Sequence, residues 1–300
     1  MRVGFFYTFI KKILKQRVIR MSLFIASLNS GSNGNCYYIG NSKEAVLIDA
    51  GISCRETEKR MQRLGLDMQN IKAIFVSHEH TDHTLGVAML SKKYKLPVYI
   101  TPTTLRFSSI KIEKEFCKTF TPYEAVNIGT LSIIAFKKNH DAADPHSFMV
   151  RGNGVNVGVI TDIGMACNEV INCFKQCHAI FIEANYDEEM LMKGNYPAHL
   201  KKRISGGHGH LSNGEALQLF IEHRPACMSH IILSHLSKNN NRPEIAEQLF
   251  TPYKHLTKII IASRYNETNV YEIKSNDGIL ADGYKLVKAQ KPVQLSMFDL

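Results

Sequence analysis

The chain has 300 residues, 44% of them hydrophobic, and a formal charge of +10, enough apolar material for one large domain with its own core. Its seven cysteines (36, 54, 117, 167, 173, 177 and 227) include no Cys-x-x-Cys pair, which argues against a disulfide framework and for reduced thiols in the cytoplasm. Six basic residues and no acid fall within the first 20; without those six the +10 becomes +4, compatible with a nucleic-acid partner without demanding one.

Residues 1–20 read as a non-native or disordered leader ahead of a start at Met21. Their apolar run over 3–10 is too short to span a membrane, and no small-residue cleavage pattern follows it. A basic helix lying on a membrane surface is the other reading. The main domain is expected over 21–275, followed by a tail over 276–300. Within the domain, Ser30-Gly-Ser-Asn-Gly-Asn35 reads either as a cradle of backbone amides for phosphate or as a tight hairpin loop.

An apolar strand over 45–49 ends in Asp49. The capping box Ser53-Cys-Arg-Glu56 starts a helix over 54–64, with Met61 and Leu64 facing the core. A short buried strand over 71–77 leads into Ser77-His-Glu-His-Thr-Asp-His-Thr84, and a helix is expected over 84–94. Strands over 131–136 and 155–162 bring His140 and Asp162 to their ends. A helix is expected over 168–175, and Cys173 and Cys177 stand four apart at its end, a spacing that fits simple burial or, less well, a structural metal. Then come Phe181-Ile-Glu183, the basic run Lys201-Lys202-Arg203, and Gly207-His-Gly-His-Leu-Ser-Asn213. A helix over 213–222, a strand over 228–234 ended by His235, and a helix over 243–253 complete an alternation of strands and helices.

The densest chemistry is the run His78-Glu-His80-Thr-Asp82-His83. Alternate residues of an extended segment point the same way, so His78 and His80 can converge on one cation. Asp82 and His83, one turn on, can face a second. A lone histidine is most often structural, but three imidazoles and a carboxylate on a strand-to-helix loop read as a metal site. Asp49, His140, Asp162 and His235 each stand just past an apolar strand. Singly they would be turn or cap residues; together they supply the further ligands that a pair of metals needs.

This ordered set, Asp49, His78-Glu-His-Thr-Asp-His83, His140, Asp162 and His235, resembles the metallo-β-lactamase superfamily. The resemblance spans most of 22–275 and implies an α/β (α+β) fold, the four-layered αββα sandwich, around two divalent metal ions, zinc or alternatively manganese. It implies that His78, His80 and His140 hold one metal, that Asp82, His83 and His235 hold the other, and that Asp162 bridges them. Asp49 matches an aspartate that orients ligand histidines. Within the superfamily, Ser30 to Asn35, His140-Asp-Ala-Ala143, Thr161-Asp-Ile-Gly164 and Gly209-His-Leu-Ser-Asn213 are similar to the WalJ (YycJ) group of bacterial metallo-hydrolases. Double-stranded DNA exonuclease activity linked to replication or repair is what that similarity implies.

Departures narrow the reading. The third motif lacks the Pro-Gly-His-Thr turn of the thioester-cleaving branch. The interval from Asp162 to His235 has no room for the inserted domain of the larger RNA nucleases, and that from His140 to Asp162 has none for the long arm of tRNA 3′-processing enzymes. The expected reaction is phosphodiester hydrolysis by a metal-bridging hydroxide. His210 is the expected proton donor to the leaving group and Glu183 its partner, with an ordinary strand-end salt bridge the competing role for Glu183. Asp82 is counted both as ligand and as catalytic residue. Lys201, Lys202, Arg203 and Ser212 are candidates to touch the substrate, against the plainer role of a solvated helix face.

The chain ends in Gln294-Leu-Ser-Met-Phe298, similar to the peptide by which bacterial DNA enzymes dock on the replication sliding clamp. Leu295, Met297 and Phe298 would be the apolar anchors and Gln294 the hydrogen-bonding group, unless the tail folds onto its own domain. The partners expected are therefore nucleic acid, DNA ahead of RNA, and the clamp, with no integral membrane association. A small-molecule hydrolase of the same fold, cleaving a cyclic phosphodiester or a lactone, is the second reading. A non-catalytic protein that binds metal and clamp is the third.

Overall fold

The computed structural model describes residues 22–275. Fourteen strands form two seven-stranded sheets. The first holds β1 (Ser22–Asn29), β2 (Cys36–Gly40), β3 (Ala45–Ile48), β4 (Ile71–Phe75), β5 (Val98–Tyr99) and β6 (Cys117–Lys118) in that order, with β14 (Tyr271–Lys274) on its outer edge beside β1. The second runs in sequence order through β7 (Ala125–Ile128), β8 (Leu131–Lys137), β9 (His146–Gly152), β10 (Val155–Ile160), β11 (Ala179–Glu183), β12 (His230–Ser234) and β13 (Lys258–Ile261).

The period-two pattern of the strands explains the layers. Ile25, Tyr37, Ile39, Val46, Ile48 and Phe75 point from the first sheet into the space between the sheets, where they meet Ile133, Phe148, Val157 and Phe181 of the second. Their neighbours in sequence, Ala26, Leu28, Tyr38, Ala45, Leu47 and Ile74, point the other way, onto the helices Cys54–Arg63 and Val87–Tyr94. The outer face of the second sheet is covered by the helices Asn168–Phe174, Asn213–His223 and Pro243–Phe250. Both faces of each sheet are thus buried, and every residue of β2, β3 and β10 is buried. Phe75 ties the sheets together, stacked on Tyr99 at 4.6 Å and edge-on to Phe148 at 5.7 Å. This is the expected αββα sandwich.

Two elements differ from expectation. The helix expected over 84–94 is two pieces, Thr81–Thr84 and Val87–Tyr94, broken at Gly86. There the backbone runs against the loop after β3: Gly86 N donates to Ala50 O at 2.7 Å, and a Cβ on Gly86 would meet Ile52 O at 2.2 Å. The helix expected over 243–253 stops at Phe250 and tightens into a 3₁₀ turn over Thr251–Tyr253, because Pro252 has no N–H to continue the ladder. Cys173 and Cys177 lie 4.0 Å apart and are fully buried in the outer core of the second sheet. Among the described residues neither belongs to a group of side chains that could hold a metal, so burial accounts for them.

The connections matter most for the site. β3 and β4 are parallel, as are β10, β11 and β12, and β8 runs in the same direction as β10 through their shared antiparallel neighbour β9. Their carboxyl ends therefore bring the segments after residues 48, 75, 137, 160, 183 and 234 to one edge of the sandwich.

Candidate metal centre

Two groups of ligand atoms meet at that edge. In the first, His78, His80 and His140 each offer a ring nitrogen within 4.8 Å of the others, and His78 Nε2 stands 3.0 Å from His80 Nδ1. The second ring nitrogens set the orientations. His78 Nδ1 lies 2.9 Å from Ser77 Oγ, and His140 Nδ1 donates to Gly209 O at 3.0 Å. In the second group, His83 Nε2 and His235 Nε2 lie 3.6 and 3.7 Å from Asp82 Oδ2. His83 is turned by Asp49, whose Oδ2 accepts from Nδ1 at 2.7 Å while its other oxygen accepts from Ser77 N.

Asp162 lies between the groups. Its Oδ2 is 3.2 Å from His83 Nε2, and its Oδ1 is 3.3 Å from His235 Nδ1 and 4.0 Å from His140 Nε2. The expected ligand set, His78, His80, Asp82, His83, His140, Asp162 and His235, is brought together.

Glu183 does more than expected. At 0% exposure its carboxylate accepts from His210 Nδ1 at 2.8 Å, His235 Nδ1 at 2.9 Å and the backbone amides of Ile163 and Leu211. One carboxylate therefore aims a ligand histidine and His210 together. The loop carrying His210 is pinned by Gly164: a Cβ there would meet Gly207 O at 2.3 Å.

Several strand ends reach the site through strained backbone. Asp49, Asp162 and His235 have φ of 58°, 54° and 56°, the left-handed region that costs a non-glycine residue about 1–3 kcal/mol and clusters at functional sites. His235 is held there by its amide donating to Ser30 Oγ at 2.7 Å and by Asn185 Nδ2 donating to its carbonyl at 2.7 Å.

Other residues at the site escape sequence reasoning. The Gly-rich segment is the hairpin loop between β1 and β2. Its last residue, Asn35, reaches Asp82 Oδ2 at 3.2 Å and His83 Nε2 at 3.0 Å. Lys138, buried at 6% exposure, donates to Thr161 O. Asp141 lies with one oxygen 3.4 Å from His140 Nε2 and the other on Arg203. Only the closeness of Lys138 and Asp141 to His140 in the chain could have flagged them.

The candidate substrate contacts fare unevenly. Ser212 is buried, caps the helix Asn213–His223 and shares a capping box with Glu215. Its hydroxyl is thereby committed to the backbone, a correction to its reading as a substrate contact. Arg203 pairs with Asp141 at 2.5 Å, Lys201 donates to Met192 O, and Lys202 is exposed. His208 is exposed. Gln294, Leu295, Met297 and Phe298 lie outside the described residues, as do 1–21.

The electrostatics fit a cation. Burial opposes charge on His83 and His235, yet Asp162 and the surrounding carboxylates outweigh it, holding His83 well above the usual imidazole range and His235 up to about 10. Burial would raise Asp162, but His235 and His83 hold it well below the carboxylate range. His140, buried and beside Lys138, falls to about 4. A place negative enough to keep protons on buried imidazoles favours a divalent ion in their stead, with release of those protons. His140 Nε2, His235 Nε2 and Asp162 Oδ2 are buried without any hydrogen-bond partner. Such atoms are costly unless something satisfies them, and each belongs to the ligand set.

Asp49 touches no other candidate ligand than His83, so Asp49→Ala tests orientation separately from ligation. Metal affinity should fall roughly 10–100-fold, read by competition with a chromogenic chelator, while the far-ultraviolet circular dichroism stays native. Unchanged affinity would show that His83 needs no such partner.

Comparison with known proteins agrees with this geometry. Residues 44–235 match the β-lactamase superfamily domain. The chain is 33% identical over 231 residues to exodeoxyribonuclease YycJ of Bacillus anthracis, covering 75% of this chain and 87% of that protein. It is 31% identical over 224 residues to exodeoxyribonuclease WalJ of Streptococcus pneumoniae, covering 73% and 83%. Among solved structures, the metallo-β-lactamase fold protein YhfI of Bacillus subtilis superposes with a TM-score of 0.61 at 15% identity, over 84% of this chain and 99% of that one. Zinc-bound PqqB of Methylobacterium extorquens superposes with a TM-score of 0.62 at 12% identity, over 82% and 99%. Fold, ligand order and sequence agree, and the chain belongs to the metallo-β-lactamase superfamily, in the WalJ/YycJ group of metal-dependent hydrolases.

Proposed function

We propose that this protein is a metal-dependent nuclease, a DNA exonuclease working at a centre of two divalent ions. The observation that carries the reading is Asp162, a single buried carboxylate within reach of both ligand groups and of the Glu183–His210 pair. DNA as substrate rests on the similarity to the two exodeoxyribonucleases. His78, His80 and His140 would hold one ion, and Asp82, His83 and His235 the other, with Asp162 common to both. Imidazole-rich donor sets suit zinc, and the carboxylates of the second group leave manganese as the alternative. Bound there, such ions supply a nucleophile from water near neutral pH and offset the charge that develops on a phosphoryl group.

The chain's own residues do the rest. Glu183 accepts from Nδ1 of His210 whether that ring is neutral or charged, which leaves Nε2 as the atom that takes up and delivers a proton. His210 is 24% exposed where His235 and Asp162 are 3% exposed, so it is the imidazole of this cluster that an incoming leaving group can reach. Its ring stands 5.4 Å from that of His140 and 5.2 Å from that of His235, beside both ligand groups. We assign it the role of general acid to the departing oxygen. Asp82, 22% exposed where Asp162 is 3% exposed, completes the ligand set and would lie where the substrate enters.

Among the described residues no helix is long and apolar enough to cross a membrane, and the seven cysteines are free thiols. Docking of the tail onto a sliding clamp stays a proposal on its sequence alone. Replacing Leu295 and Phe298 with Ala should abolish binding to a purified clamp and leave hydrolysis of short DNA unchanged; a wild-type tail peptide that does not bind removes the partner.

The function itself is tested with end-labelled DNA, RNA and a chromogenic phosphodiester, before and after chelation and with zinc or manganese restored. His210→Ala should keep its metal and slow DNA hydrolysis roughly a hundredfold, with recovery on a substrate whose leaving group needs no proton. Loss of metal in that variant would reassign His210 as a ligand. Hydrolysis of the chromogenic ester with all nucleic acids left intact would favour the small-molecule reading.

A further inference from the structure

The phosphate contacts that sequence suggests, Lys201 to Arg203, flank the His140 side of the centre, where Arg203 is paired with Asp141. The opposite flank, beside His235, is differently made. Two cavities adjoin there, of about 260 and 630 Å³, and share Lys238, Asn241 and Arg242 in their walls. The smaller adjoins the segment that carries His235, through Ser30, which accepts from His235 N, and Leu236, the residue after His235.

No carboxylate lines either cavity. Lys238 and Arg242 are exposed and have no ion pair among the described residues, and Arg264, on the wall of the smaller cavity, donates only to neutral oxygens of Ser32 and Leu236 at 3.1 Å. By contrast, Lys193, on the wall of the larger cavity away from the centre, pairs with Glu189. The helix Pro243–Phe250 opens on this flank without a side-chain cap, and Glu244 stands in its first turn.

The loop that carries the cations is rigid. Asn241 is 4% exposed, and its amide donates to the carbonyls of Ala184 and Asn185 at 2.9 and 3.0 Å while its oxygen accepts from Arg242 N. Asn185 is the residue that also holds the His235 carbonyl. Cations and metal ligand thus share one scaffold, so a group bound by the first is placed relative to the second.

The geometry points to Lys238, Arg242 and Arg264 as a track for consecutive phosphates of the nucleic-acid strand adjoining the cleaved bond. Tyr265, 66% exposed at its rim, is a surface on which a base can stack. Cations that face water without carboxylate partners can neutralise phosphates without an ion pair having to be broken first. Three of them leading away from the centre suit a polymer, whereas a small diester would occupy the centre alone.

This inference rests on the nuclease reading, and the experiment separates the two. Lys238→Ala/Arg242→Ala protein loaded with metal is compared with wild type by fluorescence anisotropy on labelled DNA over a salt series, and by turnover of DNA and of a chromogenic phosphodiester. The double variant should bind DNA roughly tenfold more weakly at low salt, and log Kd should depend less steeply on log salt by about one for each cation removed. Metal content and turnover of the small ester should stay at wild-type values. Lys201→Ala/Lys202→Ala should change binding less. Wild-type affinity and salt slope in the Lys238/Arg242 variant, with DNA still degraded, would overturn the track and leave the nuclease standing. DNA bound with the predicted salt slopes but never cleaved would keep the track and overturn the nuclease, and no DNA binding by wild type would overturn both.

Discussion

A buried carboxylate is tolerable only when its lone pairs are met, and Glu183 shows what meeting them requires. Its donors come from three separate segments: Ile163 just past β10, His210 and Leu211 in the loop before the helix Asn213–His223, and His235 just past β12. They converge only if β10, β11 and β12 lie side by side and parallel. Asp49 does the same for the first sheet, joining β3 to Ser77 and His83. Asp162 then stands where the two sheet edges meet, with His83 of one sheet and His235 of the other within 3.3 Å. The sandwich and the site are thus one constraint. Parallel strand ends hold three acids, the acids and the Gly209 carbonyl turn His83, His140, His210 and His235, and Nε2 of His140 and of His235 is left without a hydrogen-bond partner.

Charge is distributed to the same end. The excess of Lys and Arg over the whole chain says little about partners, because many of the surface cations are paired, as in Arg63 with Glu267, Lys93 with Glu58 and Lys254 with Glu247. What distinguishes the edge is local: a strongly negative cluster of carboxylates and imidazoles, flanked on the His235 side by cations with no carboxylate opposite them. Such juxtaposition of opposite fields steers a polyanion past a metal centre without trapping it on the ligands.

The candidate ligands were legible in the sequence because this fold places them at strand ends or in one dense run. His78, His80, Asp82 and His83 announce themselves by spacing, and Asp49, His140, Asp162 and His235 by following apolar strands. Layer order followed from the alternation of elements and from the family resemblance. The illegible parts all depend on tertiary pairing. Nothing in Phe181-Ile-Glu183 says that its acid meets two imidazoles, and nothing in the hairpin loop says that Asn35 reaches Asp82 across the chain. Ser212 looked available because a serine beside a Gly-His-Gly-His run suggests chemistry, whereas its local geometry is that of a helix cap. The break at Gly86 was hidden for a similar reason: the glycine is needed by the loop after β3, not by its own helix.

The central claim is that the two ligand groups form one centre of two ions with Asp162 common to both. Native mass spectrometry of metal-loaded protein, wild type beside Asp162→Ala, addresses it most directly. Two divalent ions are expected per wild-type chain, and at most one, weakly held, in the variant with its fold intact. A single ion in the wild type, or two ions retained without Asp162, would contradict it.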